Sequence, residues 1–296
     1  EGRLRAQAEA SPFLEAAWGP SEDAATWLRL WDVFWARALP LFSLPTDHAP
    51  VVAAVLHSER LGHLVRWRPL HDRAGLEEVC VRLTARLTGD PALLARPTPW
   101  REGAEALSRQ TVDFPVLAPA AGRIAEAVVT AVDEGGEAAL THRAVAAVAG
   151  VSLGAVTHHF PTRTALAEAG YAWLYDSIVQ SARRAGAGQA EHGDIGAHML
   201  SFIEIGRAAP RSRALEAFFL TATRDPALSN FAARVRYSRG LGTLGFLHGQ
   251  APHLTRVDAL LISHWTAGLG RAIAADLEAG DRINAVISRA SDIFKR

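Results

Sequence analysis

Between Gly122 and Phe160 the apolar residues fall into three short helical runs. Ile124, Val128, Val129 and Val132 recur at the spacing of one helix face, and Gly135-Gly136 stops the run. Thr141 is placed to cap a second helix, His142 to Ala149. Gly150 closes it, where a residue free to take positive φ is useful. Val151 fills the turn, and Ser152 is a good N-cap for a third helix, Leu153 to His159. That helix ends at Phe160-Pro161, and Thr162 can cap a fourth.

Upstream the chain also reads as helical. Ser21 would cap a helix in which Trp27, Trp31 and Trp35 recur every four residues, with Leu28, Leu30 and Phe34 broadening the apolar face. Pro40 and Pro45 break it, and an apolar stretch, 51–67, follows Pro50. A third helix spans about Arg73 to Leu87 and stops at Gly89-Asp90-Pro91. From Ala92 to Pro119 there is little periodicity, and Pro97, Pro99, Pro115 and Pro119 predict a linker. The tryptophan stripe suits packing between helices; the alternative is one wall of a pocket for a flat apolar ligand. His57 and His63 are six apart and so point to different helix faces, which with His71 makes a poor metal set.

Downstream, Leu166 to Ala182 continues the fourth helix, Gly186 to Gly193 reads as a loop, and helices follow at Ile195–Ala208 and Arg211–Thr223. Another runs from Pro226 towards Phe246, and the last is Val257 to Leu277.

Two short helices joined by a Gly-containing turn, with a hydroxyl opening the second, make a helix-turn-helix. GVSLGAVTHHFPTRTAL, from Gly150, resembles the signature of the TetR family of transcriptional regulators, through Gly150, Val151, Ser152, Gly154, Val156, His159, Phe160, Thr162, Arg163 and Leu166. The motif covers 122–174; elsewhere the likeness is only a pattern of helices. The resemblance implies a DNA contact set of Arg123, Thr141, Arg143, Ser152, Leu153, Gly154, Ala155, Thr157, His158, His159 and Arg163, and a head core of Val145, Val148, Val151, Val156 and Phe160. Arg109 would extend an arm towards the minor groove or simply be solvated. Two positions depart from the family: Leu153 replaces a basic or polar residue, and Thr157 replaces the phosphate-binding tyrosine.

The same resemblance implies a regulatory body. Phe202, Ile205, Phe218, Phe219, Tyr237 and Trp265 would bind a small apolar or amphipathic effector, and the last two long helices, 237–246 and 257–273, would form a dimer interface. His264 is either a ligand-orienting group or a hydrogen-bonded core or interface histidine.

Leu61-Gly62 and Leu269-Gly270 lie 208 residues apart, and Asp72-Arg73 matches Asp281-Arg282 at 209. Read as an internal repeat, these suggest two TetR-like units in tandem, pairing as an intramolecular pseudo-dimer, with the first helix-turn-helix upstream of Glu1. The expected organisation is all-α: a helical domain at 1–112 resembling a regulatory body, a helix-turn-helix head at 113–165, and a ligand-binding and dimerisation body at 166–296.

Charge sharpens this picture. The chain of 296 residues balances 31 Lys and Arg against 31 Asp and Glu, and Lys295 is its single lysine. Across 122–174, three arginines meet five carboxylates, so DNA affinity is expected to show a modest salt slope and to need dimerisation. One cysteine, Cys80, and the lack of a long apolar run or a signal-like N-terminus predict a cytoplasmic protein without membrane attachment. No nucleophile elbow, phosphate loop, HExxH or paired carboxylates suggest an enzyme, a cofactor or a metal. The expected function is operator binding released by an effector; the alternative is a ligand-sensing or partner-binding helical protein with a degenerate head.

Overall fold

A computed structural model describes residues 22–187, 195–200, 212–275, 287–288 and 291–294. Among them every regular element is helical and no strand occurs, as the hydrophobic pattern predicts. No described helix is long and apolar enough to cross a membrane.

The chain opens with α1 (Glu22–Ala38), α2 (Ala49–His63) and α3 (Pro69–Thr88). α3 starts four residues before the expected Arg73, because proline at the first helical position lacks only an N–H that would go unpaired there. Along α1, Trp27 and Leu28 pack on Leu61, Leu64 and Leu220, and Trp35 joins the core around α2, as core packing of the stripe requires. Leu30, Val33 and Phe34 on its other side are about half exposed.

The stretch expected to be a linker is largely helical. α4 (Pro91–Leu94) is capped by Asp90, which accepts from Ala92 N at 2.8 Å and Leu93 N at 3.3 Å. α5 (Pro99–Thr111) takes its cap from another helix: the Glu78 carboxylate accepts from Trp100 N at 2.9 Å and Arg101 N at 2.7 Å. Arg82 binds the Leu94 and Arg96 carbonyls at 2.7 and 3.1 Å and holds the intervening turn.

Then come α6 (Pro119–Gly135), α7 (His142–Ala149), α8 (Leu153–His159), α9 (Arg163–Ala187), α10 (Ser212–Arg224), α11 (Ser229–Ser238), α12 (Leu241–Gln250) and α13 (Arg256–Ala275). The helix expected from Pro226 towards Phe246 is broken. Gly240 takes φ 85°, and a Cβ there would come within 2.9 Å of the Leu260 backbone, so the chain turns tightly over α13. Residues 195–200 are helical as expected; of the stretch expected as a loop, Gly186 and Ala187 instead end α9, and 188–193, like Phe202 and Ile205, lie outside the described residues.

Two large apolar clusters hold these helices. One runs from the head into the body without a break, through Val128, Val132, Leu140, Val145, Val156, Leu166, Tyr171, Phe218 and Leu228. The other joins Val51, Val55, Val79 and Leu83 of α2 and α3 to Leu247, Leu260, Leu261 and Trp265 of α12 and α13. Residues between Leu39 and Leu87 therefore share their core with residues between Leu247 and Trp265 and with Ile293 and Phe294. α2 and α13 cross antiparallel: Ser58 meets His264, and Gly268 lies so close to Ala54 that a Cβ would come within 2.6 Å of it. A 208-residue step carries Ala49–His63 onto 257–271, inside α13.

Candidate nucleic-acid interface

The α7–α8 pair is built from local hydrogen bonds. Thr141 Oγ1 accepts from Ala144 N at 3.2 Å and starts α7; Gly150, φ 64°, ends it. Ser152 Oγ accepts from Ala155 N at 3.2 Å and starts α8, and Thr162 Oγ1 accepts from Ala165 N at 3.0 Å to start α9. Each cap satisfies an N–H that a helix start leaves without a partner. His142 Nε2 donates to the Phe160 carbonyl at 2.6 Å, fastening the start of α7 to the end of α8.

Val145 and Val156 are fully buried and Phe160 nearly so, as the head core requires. Val148 and Val151 are not in it, being 42% and 36% exposed. α7 has eight residues, and the inner side of so short a helix is filled by Val145 and Ala146, which leaves Val148 and the turn residue facing outward. Leu153, Gly154, Thr157, His158 and His159 are exposed, Ala155 is half-buried, and Val156 anchors α8. The two histidine rings stand edge to face, 5.3 Å apart.

Of the expected phosphate contacts, Arg123, Thr141 and Arg143 are exposed. Arg163 is engaged within the protein: its Nη2 lies 3.2 Å from Glu137 Oε1 and 3.3 Å from the Glu137 carbonyl. Arg224 of α10 binds the other oxygen of the same carboxylate. Thr164 Oγ1 donates to Asp225 Oδ2 at 2.8 Å, and Asp133 of α6 accepts from Ala214 N at 3.0 Å, capping α10 across the head–body boundary. Burial pushes the Asp133 carboxyl up from its ordinary value. Head and body are thus joined by polar clamps as well as by a continuous core.

In the body the four described effector candidates are packed in three separate clusters. Phe218 and Phe219 belong to the head-side core, Trp265 to the α2–α13 core, and Tyr237 to a small cluster with Ala104 and Ala233. Phe218, Tyr237 and Trp265 are fully buried. Phe219 borders a cavity of about 20 Å³, shared with Ser58, Glu59, Leu215, Arg236 and His264, which is room for about one water molecule.

Around this cavity lies a buried charge network that the hydrophobic pattern does not reveal. Arg101 Nη1 lies 3.0 Å from Glu59 Oε1 and His63 Nε2 also lies 3.0 Å from it, while His264 Nε2 meets Glu59 Oε2. Burial alone would raise the Glu59 carboxyl, but Arg101 and His264 beside it hold it well below its ordinary value. Burial brings His264 down to about 4, against the pull of Glu59. A neutral His264 donates from Nε2 to Glu59 and accepts at Nδ1 from Ser58 Oγ, 2.9 Å away. Arg236 donates to the Gly62 carbonyl at 2.7 Å and pairs with Asp72, Tyr237 OH donates to Asp72 at 2.8 Å, and Arg86 forms a double hydrogen bond to Asp258 at 2.9 and 3.0 Å. His264 is accordingly a hydrogen-bonded core histidine. The one available signal in sequence was a charged residue inside an apolar run, Glu59 within VVAAVLHSERLGHLV and Asp258 within RVDALLI.

No cluster of three or more His, Cys, Asp or Glu able to hold a metal ion occurs among the described residues. No family model, no curated protein and no solved structure matches this chain.

Proposed function

We propose that this chain is a DNA-binding transcriptional regulator of the TetR type, with α8 as the helix that enters the major groove. The observation that carries the reading is the α7–α8 unit. It consists of two short helices, each capped by its own hydroxyl, with a left-handed glycine between them and a second helix that buries one side chain and leaves five residues facing solvent. Arg123 and Arg143 are the exposed cations available for phosphate contacts.

The packing of α2 on α13 favours pairing within one chain. The helix expected to bind a second copy has Leu260, Leu261 and Trp265 already covered, and the 208-residue step relates the two helices that cross. Two TetR-like units joined in tandem account for both features.

Regulation then runs through α9. Phe218 and Phe219 of α10 and the clamps at Asp133 and Glu137 connect the body to the head. A cavity of about 20 Å³ is far below the ~300 Å³ of a typical ligand site. An effector entering there acts by opening the packing around Phe219 and His264, and its differential affinity for the opened state sets how far DNA binding shifts.

A second reading, a partner-binding protein with a degenerate head, is favoured by the engagement of Arg163 with Glu137 and by the local excess of carboxylates. Selection of bound duplexes from a random-sequence library at low and moderate salt separates the two. A pseudo-palindromic or paired enriched site supports the regulator. No enrichment at low salt supports the partner-binding reading.

A further inference from the structure

Resting on the DNA-reading role proposed above, we infer that α8 recognises thymine through its C5-methyl group, so that the target half-site is set by thymines in the major groove. Leu153 and Thr157, one turn apart on its exposed side, make the contact.

The helix reads LGAVTHH. It holds no Arg, Lys, Asn, Gln, Asp or Glu, the side chains that read guanine, adenine or cytosine edges by directed hydrogen bonds. Thr157 does not fill that gap. Its hydroxyl donates to the Leu153 carbonyl at 2.9 Å, so its proton is used inside the helix; it can no longer donate to a base, and it presents a methyl beside an oxygen that can only accept. Leu153 is 50% exposed, and Val151 and Val148 extend the apolar surface through the turn into α7.

Leu153 and Thr157 are about 6 Å apart along the axis at 1.5 Å per residue, comparable with roughly two base steps of 3.4 Å. The thymine methyl is the apolar feature of the major groove that such a surface matches. Exposed His158 beside Thr157 supplies the polar reach to a neighbouring purine or phosphate, and Arg123 and Arg143 lie outside α8. The two departures from the TetR signature, Leu153 and Thr157, thereby become the residues that set specificity.

The test uses the full chain and a duplex enriched from a random library, remade with deoxyuridine in place of each half-site thymine in turn. Affinity is expected to fall about fourfold for each methyl covered, the equivalent of ~0.8 kcal/mol per buried methyl, and about fifteenfold for two. Leu153→Ala sits at an exposed position, so its helix content should match the parent while its preference for thymine over uracil shrinks. Equal binding of thymine and uracil duplexes at every position overturns the thymine inference and leaves the DNA-reading role standing. If no duplex is enriched, the DNA-reading role fails and this inference with it.

Discussion

Arg101 Nη1 lies 3.0 Å from Glu59 Oε1, and neither side chain is more than 1% exposed. Water does not screen this pair, and the Arg101 Nη2 bond to the Arg236 carbonyl at 3.2 Å carries the linkage on to α11. The segment before the head is therefore bonded to the body after it through groups that cannot be left alone. Arg101→Met should lower unfolding stability by about 3–5 kcal/mol, because it strands a buried carboxylate. Adding Glu59→Leu should recover part of the loss, since His63 and His264 lose their acceptor in turn. Urea denaturation of the three proteins measures both effects; a single variant within about 0.5 kcal/mol of the parent would show the pair to be dispensable.

Because α2 and α3 complete the core around Leu260, Leu261 and Trp265, removing residues 22–111 should not leave a well-folded remainder. The truncated chain is expected to bind a hydrophobic dye and to unfold with a shallower urea dependence than the parent. A cooperative, dye-free fragment would mean that the head and C-terminal body form an independent domain.

Acid should weaken the fold. Burial brings both His198 and His264 down to about 4, below the ordinary 6.5, so they are neutral when folded and take up protons on unfolding. Their contribution is fully present above about pH 6.5 and is lost as pH falls towards 4. The depressed Glu59 carboxyl acts in the same direction at lower pH, while the raised Asp133 opposes it there. Between pH 6.5 and 5 the unfolding free energy should fall with a slope approaching about two protons. A flat profile across that window would contradict the assignment of two neutral buried histidines.

Ser152→Ala removes the hydroxyl that accepts from Ala155 N. A cap of this kind is worth about 1 kcal/mol, and α8 is only seven residues long. Amide exchange in α8 should accelerate before global stability changes appreciably, and DNA affinity should fall with it. Unchanged exchange would mean that Val156 and Phe160 alone hold the helix.

The legible part of the sequence was the part whose physics is local. The caps at Thr141, Ser152 and Thr162 and the glycine turn at Gly150 lie within three residues of what they control, and each is found where the pattern places it. α5 is not legible in the local pattern because its cap, Glu78, comes from another helix, 22 residues before Trp100. Gly240 looked like one more glycine in a helical run; only the approach of Leu260 gives it a reason to break the helix. Val148 and Val151 face outward, since apolar character does not say which side of an eight-residue helix is covered. The buried network was hidden for the same reason at longer range: Glu59 and Arg101 are 42 residues apart, and Ser58 and His264 are 206.

The most direct test of the DNA-reading head is the salt dependence of affinity for an enriched duplex, compared between the parent chain and Arg143→Ala, whose exposed position makes folding effects small. The account predicts weaker binding to every sequence tried, with the slope of log affinity against log salt reduced by about 1. An unchanged affinity and an unchanged slope would contradict it, because the duplex would then be held by some surface other than α7 and α8.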